Sequence, residues 1–163
     1  MASKTELNAL TMLRSIELTR DMETRHLRKL ASIAQEIVFH EGEIIYRQGD
    51  KGKGLYLIQE GNVVIEMEIP GQAQVIMNDL GPSEFFGWSS LFPLEHKMAW
   101  TRASQSTRAL MFEADLLRDA CRLDHTLEYA IVRRAGRDMV HRIKATRHYL
   151  SKMVSQQVGI GAG

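Results

Sequence analysis

Between Ile37 and Glu113 the sequence breaks into eight short runs rich in β-branched, aromatic and other apolar residues: IVF, EIIYR, LYLIQE, NVVIEMEI, AQVIMNDL, EFF, AWTRA and TRALMFE. The glycines of this stretch, Gly42, Gly49, Gly61, Gly71 and Gly81 among them, sit mostly between the runs, where the chain must reverse or take a positive φ. Pro70-Gly71 reads as a tight turn and Glu60-Gly61-Asn62 as a hairpin connection. Eight short strands at such intervals imply an antiparallel sandwich, a jelly roll or a related roll.

The two flanks have a different period. From Leu7 to about Glu36, first Leu7, Leu10 and Leu13 and then Met22, Leu27, Leu30, Ile33 and Ala34 recur at helical spacing, which predicts two short helices, the second capped by Thr19 or Asp21. After Glu113, Leu116, Leu117, Ala120 and Cys121 form a short apolar stretch, and a longer helix follows from about His125 to Gln157. On it Val140, Ile143, Leu150 and Val154 keep alternating spacings of three and four, broken at Arg147, as a coiled-coil seam does. Arg133, Arg137, Arg142, Lys144 and Lys152 are read onto the opposite face, where solvation is their simplest role. Either a partner helix covers the apolar seam or the helix packs back on its own roll. The expected layout is one domain over residues 1–163: helices over about 7–36, the roll over about 37–113, C-terminal helices over about 114–157 and a flexible tail over 158–163.

Composition removes several function classes. A net charge of +1 gives no global reason to expect nucleic acid or an anionic membrane as partner, and charged residues at 25% with hydrophobic ones at 44% are those of a soluble globular protein. No apolar run approaches the ~20 residues that span a bilayer, and MASKTELNAL lacks a signal-peptide core. The single cysteine, Cys121, forms no intramolecular disulfide, so a cytoplasmic location is expected. His141 and His148 lie two helical turns apart, too far for joint ligation, so no metal site is expected. Neither a nucleophile with its base nor a phosphate-loop or dinucleotide fingerprint is present, which argues against an enzyme.

One constellation is specific in its order. Gly42-Glu43 precedes a strand, Gly49-Asp50 forms the next turn, Tyr56-Leu57-Ile58 leads to Gly61, and Phe86-Gly87 opens the segment FFGWSSLF. Together these resemble the cyclic-nucleotide-binding domains of Crp/Fnr regulators, protein kinase A regulatory subunits and cyclic-nucleotide-gated channels, over about residues 10 to 155. The resemblance implies an α+β fold: an antiparallel double-stranded β-roll, jelly-roll-like, with N-terminal helices, a short cassette helix and a long C-terminal helix that dimerises and covers the pocket in many members. It also implies a phosphate-binding cassette here formed by Phe86, Gly87, Trp88, Ser89, Ser90, Lys97, Met98 and Ala99. In such a pocket a glycine lets backbone amides approach the cyclic phosphate, an arginine pairs with the phosphate oxygens and a glutamate accepts from the ribose 2′-hydroxyl.

The cassette departs from that pattern twice. Trp88 stands where the family has the ribose-binding glutamate, and Lys97, before Met98-Ala99, stands where it has the arginine. An alternative register places the arginine motif at Arg102-Ala103-Ser104. Ser89 and Ser90 either donate to an anion or cap the cassette helix. The expected function is a regulatory ligand-sensing domain that binds a cyclic nucleotide, cAMP or cGMP, weakly and relays it through a dimer helix to an unidentified output protein. Two alternatives stand beside it: a degenerate pseudo-sensor serving as a dimerisation or docking module, and a sensor of haem or another flat effector with His96 in its loop. The helix-turn-helix that Crp/Fnr regulators carry after the long helix has no counterpart here, so sequence-specific DNA binding is not expected.

Overall fold

A computed structural model describes residues 1–92 and 96–160. Two helices, α1 (Lys4–Ser15) and α2 (Thr24–Ile33), lead into eight strands: β1 (Ala34–Phe39), β2 (Ile44–Tyr46), β3 (Gly54–Glu60), β4 (Val63–Met67), β5 (Val75–Leu80), β6 (Phe85–Phe86), β7 (Trp100–Ala103) and β8 (Thr107–Glu113). A 3-10 helix, Trp88–Leu91, follows β6, and α3 (Ala114–Leu123) and α4 (His125–Ile160) follow β8. The strands form two four-stranded antiparallel sheets in the orders β1-β8-β3-β6 and β2-β7-β4-β5. This is the α+β roll with a long C-terminal helix that the sequence implied.

The two sheets face each other across Phe39, Tyr46, Tyr56, Ile58, Val63, Leu80, Phe86, Ala103 and Ala109. The outer face of the first sheet carries Leu55, Leu57, Phe85, Leu110 and Phe112 and packs under Leu13, Leu27, Leu30, Leu117, Leu127 and Ile131 of the helices. β3 is therefore buried on both faces, which is why GLYLI lacks the apolar–polar alternation of a half-exposed strand.

Several boundaries differ from the sequence reading. α1 starts at Lys4 because Ser3 caps it, its hydroxyl accepting from Glu6 N at 3.1 Å; Ser3 and Glu6 are the spacing of a capping box. α2 stops at Ile33, and the next six residues pair with β8 from Ala34 onward instead of continuing as helix to Glu36. Neither Thr19 nor Asp21 caps it: Thr19 is buried and donates to Leu13 O at 2.6 Å, and Asp21 receives Arg134 of α4. Residues 60–62 are not a hairpin, since β3 and β4 belong to different sheets. Gly61, at φ +88°, carries the chain over that corner, and a Cβ there would meet Ser106 O at 2.3 Å. The expected tail over 158–163 is helical as far as Ile160; residues 161–163 lie outside the described residues.

α4 is amphipathic twice over. Leu127, Ile131, Arg134 and Ala135 are buried against the roll and the other helices, and Asp138, Arg142 and Thr146 continue that face half-buried toward β5. A second stripe, Tyr129, Val132, Val140, Ile143, Leu150, Val154 and Val158, faces outward, with Ile143 60% exposed. The helix thus packs back on its roll along one face and leaves the apolar seam uncovered along another.

Candidate functional site

The site begins where β6 ends. Phe86 stacks on Tyr56 with ring centroids 4.8 Å apart, and Gly87 then takes φ +92° to turn the chain into the 3-10 helix. A Cβ at Gly87 would lie 2.6 Å from Gly54 O and 3.0 Å from the Tyr46 hydroxyl, so β3 and the cassette meet this closely only through glycine. Gly52 makes room in the same way for Ser90, whose Oγ would be 2.2 Å from an added Cβ.

Lys97 reaches the cassette from the other side. The Gly49-Asp50 turn holds its backbone: Lys97 N donates to Asp50 O, and Gly49 N donates to Lys97 O, each at 2.8 Å. Its side chain is only 7% exposed. The ammonium donates to Ser89 Oγ at 2.8 Å and Ser90 Oγ at 3.2 Å and stands 4.2 Å from the centroid of the Tyr46 ring. Among the described residues its partners are thus two hydroxyls and a π face, with no carboxylate. Burial lowers its pKa from 10.5 to about 8, so at neutral pH it remains mostly a desolvated cation.

The serines divide their roles. Ser90 donates to Gly54 O at 2.8 Å while accepting from Lys97, so its proton is spent inside the protein. Ser89 accepts from Lys97, and among the described residues its own hydroxyl proton has no acceptor. Neither caps the cassette helix, whose N-cap is Gly87. Phe86, Gly87, Trp88, Ser89, Lys97, Met98 and Ala99 line one cavity of about 400 Å³, with Ser90 behind its wall. Arg102, the alternative arginine, is not in that wall; it forms a two-pronged pair with Glu66, with Nη2 at 2.5 Å. His96 is exposed, bridges to Lys51 through its backbone and does not line the cavity.

Trp88 turns toward α4. It is 5% exposed, lies 5.3 Å from the Phe85 ring and joins the core that holds Leu55, Phe112 and Ile131. Its Nε1 donates to Asp138 Oδ2 at 2.5 Å. Asp138 in turn pairs with Arg142 at 2.8 Å, and Arg142 donates to Phe85 O. This corrects the placement of Arg142 on the outer basic face: it is turned inward and lines the cavity, and burial lowers its pKa against the pull of Asp138. Its phase could have revealed it, because Ile131, Ala135, Asp138 and Arg142 fall on one helical face. Tyr46, Met67, Met77 and Met139 also line the cavity and were not singled out from sequence; strand and helix phases known only after folding bring them together.

A larger cavity, about 550 Å³, lies between Phe92, Cys121 and Val132. Its arginines are paired locally, Arg118 with Asp115 and Arg122 with Asp119, and burial pushes the Cys121 thiol up to about 11, so among the described residues no reactive thiol or unpaired arginine marks it.

The family model of the cyclic nucleotide-binding domain matches residues 36–124, from within β1 to the residue that follows α3. The chain belongs to the cyclic nucleotide-binding domain family. A cAMP-dependent protein kinase regulatory subunit of Dictyostelium discoideum is 35% identical over 78 residues, 46% of this chain and 24% of that protein. A CRP-like cAMP-activated global transcriptional regulator of Mycobacterium tuberculosis is 27% identical over 97 residues, 60% of this chain and 43% of that protein. The chain therefore spans less than half the length of these relatives. The fold is also that of a cyclic nucleotide-binding domain from Methylobacillus flagellatus, at a TM-score of 0.76 and 22% identity, covering 91% of this chain and 84% of that one. Both relatives carry regulatory names, one a regulatory subunit and the other a transcriptional regulator. Among the described residues no helix is long and apolar enough to cross a membrane.

Proposed function

We propose that this chain is a non-catalytic regulatory sensing domain of the cytoplasm, in which an effector of the cyclic-nucleotide type binds weakly in the Lys97 cavity and α4 relays the change to a partner. The observation that carries this reading is Lys97 itself. A lysine buried with only hydroxyl and π partners among the described residues costs the fold stability, and an anion in the cavity relieves that cost. Ser89 offers a hydroxyl proton beside it. The printed names of the relatives, cAMP-dependent and cAMP-activated, support the ligand class.

Weak affinity follows from the ribose end. With Trp88 in place of a carboxylate, the 2′-hydroxyl loses a charged acceptor worth ~1.5–3 kcal/mol, roughly ten- to more than a hundredfold in affinity. The relay runs through Trp88, Asp138 and Arg142, which tie the cassette to α4. The exposed stripe on α4 supports a homodimer.

Saturation binding of a cyclic-nucleotide panel to the purified chain tests the reading. Dissociation constants for cAMP and cGMP above the micromolar range are expected; submicromolar binding would overturn the weak-pocket argument. The absence of binding at millimolar ligand favours a second reading, a docking module held closed without ligand. The bond from Trp88 to Asp138, which fixes α4 on the roll in the ligand-free fold, is the observation behind it.

A further inference from the structure

Arg142 has a buried N–H that nothing in the described structure accepts. Its Nη2 serves Asp138 and Phe85 O, yet its Nε is buried without a hydrogen-bond partner. Buried donors of this kind are rare in folded proteins because each forfeits the hydrogen bond it made in water. The same side chain lines the cavity that holds Lys97. Among the described residues of that lining there are two cations, Lys97 and Arg142, and no carboxylate.

The charges can be counted from the contacts. Arg142 is paired one to one with Asp138, which does not line the cavity, whereas Lys97 has no counter-charge among the described residues. An incoming group with one negative charge balances the site, and its oxygens have two donors from different elements to meet. Much of the remaining wall is soft and apolar, with Ile65, Met67, Met77, Phe86 and Met139, and Asn78, Ser89, Thr101 and Thr146 are among its uncharged polar members. Methionine-rich walls adapt to the shape of a flat body rather than reading its polar edge.

We propose that Arg142 of α4 is the second cation of this site and that the ligand class it takes is a singly charged organic anion with a flat apolar body, held between Lys97 and Arg142. This rests on the reading that the cavity binds an effector. The consequence is mechanical as well as chemical. Lys97 belongs to the loop before β7 and Arg142 to α4, so one bound anion spans roll and helix and holds α4 in its seat. A ligand that lacks the charge gains no such hold.

The experiment uses the full chain, labelled with nitrogen-15, and two probes that carry a single negative charge, cyclic AMP and 1-anilinonaphthalene-8-sulfonate, with adenosine as the uncharged comparison. The Arg142 Nε–H resonance, assigned by its loss in R142K, is followed through each titration. Both anions are expected to move it, and adenosine is not. R142Q should bind each anion about tenfold or more weakly, with R142K recovering only part of the loss because a lysine offers a point charge in place of the planar fork. A resonance that stays in place at saturation, or equal affinities of wild type and R142Q, overturns the proposal while the sensing reading survives. Failure of both anions to bind at millimolar concentration overturns both together. Because the resonance is read in the wild-type protein, only R142K, which serves its assignment, has to fold, and the test does not depend on R142Q.

Discussion

At the scale of the residue, Lys97 sets the pH behaviour of the site. Its folded-state pKa, about 8, lies below the ordinary 10.5, so the unfolded chain holds the proton more tightly than the folded one. The penalty of burying the charge is fully present below pH 8 and disappears as pH rises from about 8 towards 10.5. Stability from Lys97 therefore increases across that window, and urea denaturation of wild type against Lys97→Met should show the difference between them shrinking from pH 7 to pH 10. Anion affinity runs the other way: it falls as pH climbs through 8 and the ammonium loses its proton. A flat affinity profile between pH 7 and pH 9.5 would remove Lys97 from the site. Trp88 gives the second prediction at this scale. Restoring a glutamate there places a carboxylate beside Asp138 and among Phe85, Phe112 and Ile131, so Trp88→Glu should cost about 3–5 kcal/mol, as large core truncations do, and should not restore ribose binding. Trp88→Phe keeps most of the packing and loses one bond to a charged acceptor, about 1.5–3 kcal/mol by thermal or urea unfolding.

At the scale of the element, α4 is held in two places with different chemistry. Near its start Arg134, 7% exposed, donates to Leu18 O and Ala130 O at 2.8 Å each and pairs with Asp21, tying the helix to the loop between α1 and α2. Arg134→Ala leaves Leu18 O without that donor and should cost about 2–3 kcal/mol, measured by urea denaturation. Its middle is held through Asp138 and Arg142 at the cassette. Beyond Thr146 most side chains are exposed and include Leu150, Val154 and Val158. Hydrogen exchange should therefore divide the helix, with amides near Leu127–Ala135 protected at any protein concentration and those beyond residue 146 gaining protection only as concentration rises. Uniform, concentration-independent protection along α4 would show that the second stripe needs no partner.

At the scale of the whole molecule, the outward stripe from Tyr129 to Val158 is what the assembly must cover. Light scattering coupled to gel filtration should give a dimer at tens of micromolar, and Ile143→Glu, a charge set in the middle of the seam, should return the monomer with its circular dichroism unchanged. A monomeric wild-type mass at that concentration would sink the dimer.

The strand runs and the turn glycines were legible in the sequence because they obey local rules: β-branched runs pair, and glycine takes φ +88° at Gly61 or +92° at Gly87 without strain, while Phe86-Gly87 was read as the cassette's opening from the family resemblance. The Lys97 register came from the resemblance to the family's cassette rather than from a local rule, and the structure sets Lys97 beside Ser89 and Ser90 while Arg102 pairs with Glu66. What the sequence left open needed contacts between distant segments. That β3 and β4 leave for different sheets follows from a sheet order no local pattern encodes. That Trp88 turns to Asp138, 50 residues on, depends on how α4 crosses the roll. Arg142 is the sharpest case: its charge marked it as a surface residue although its helical phase matched Ile131 and Ala135, and the packed helix showed that this face is the one the roll buries. Local sequence fixes backbone conformation over a few residues, whereas the partner of a polar side chain is chosen by whichever segment the global packing brings within hydrogen-bonding distance.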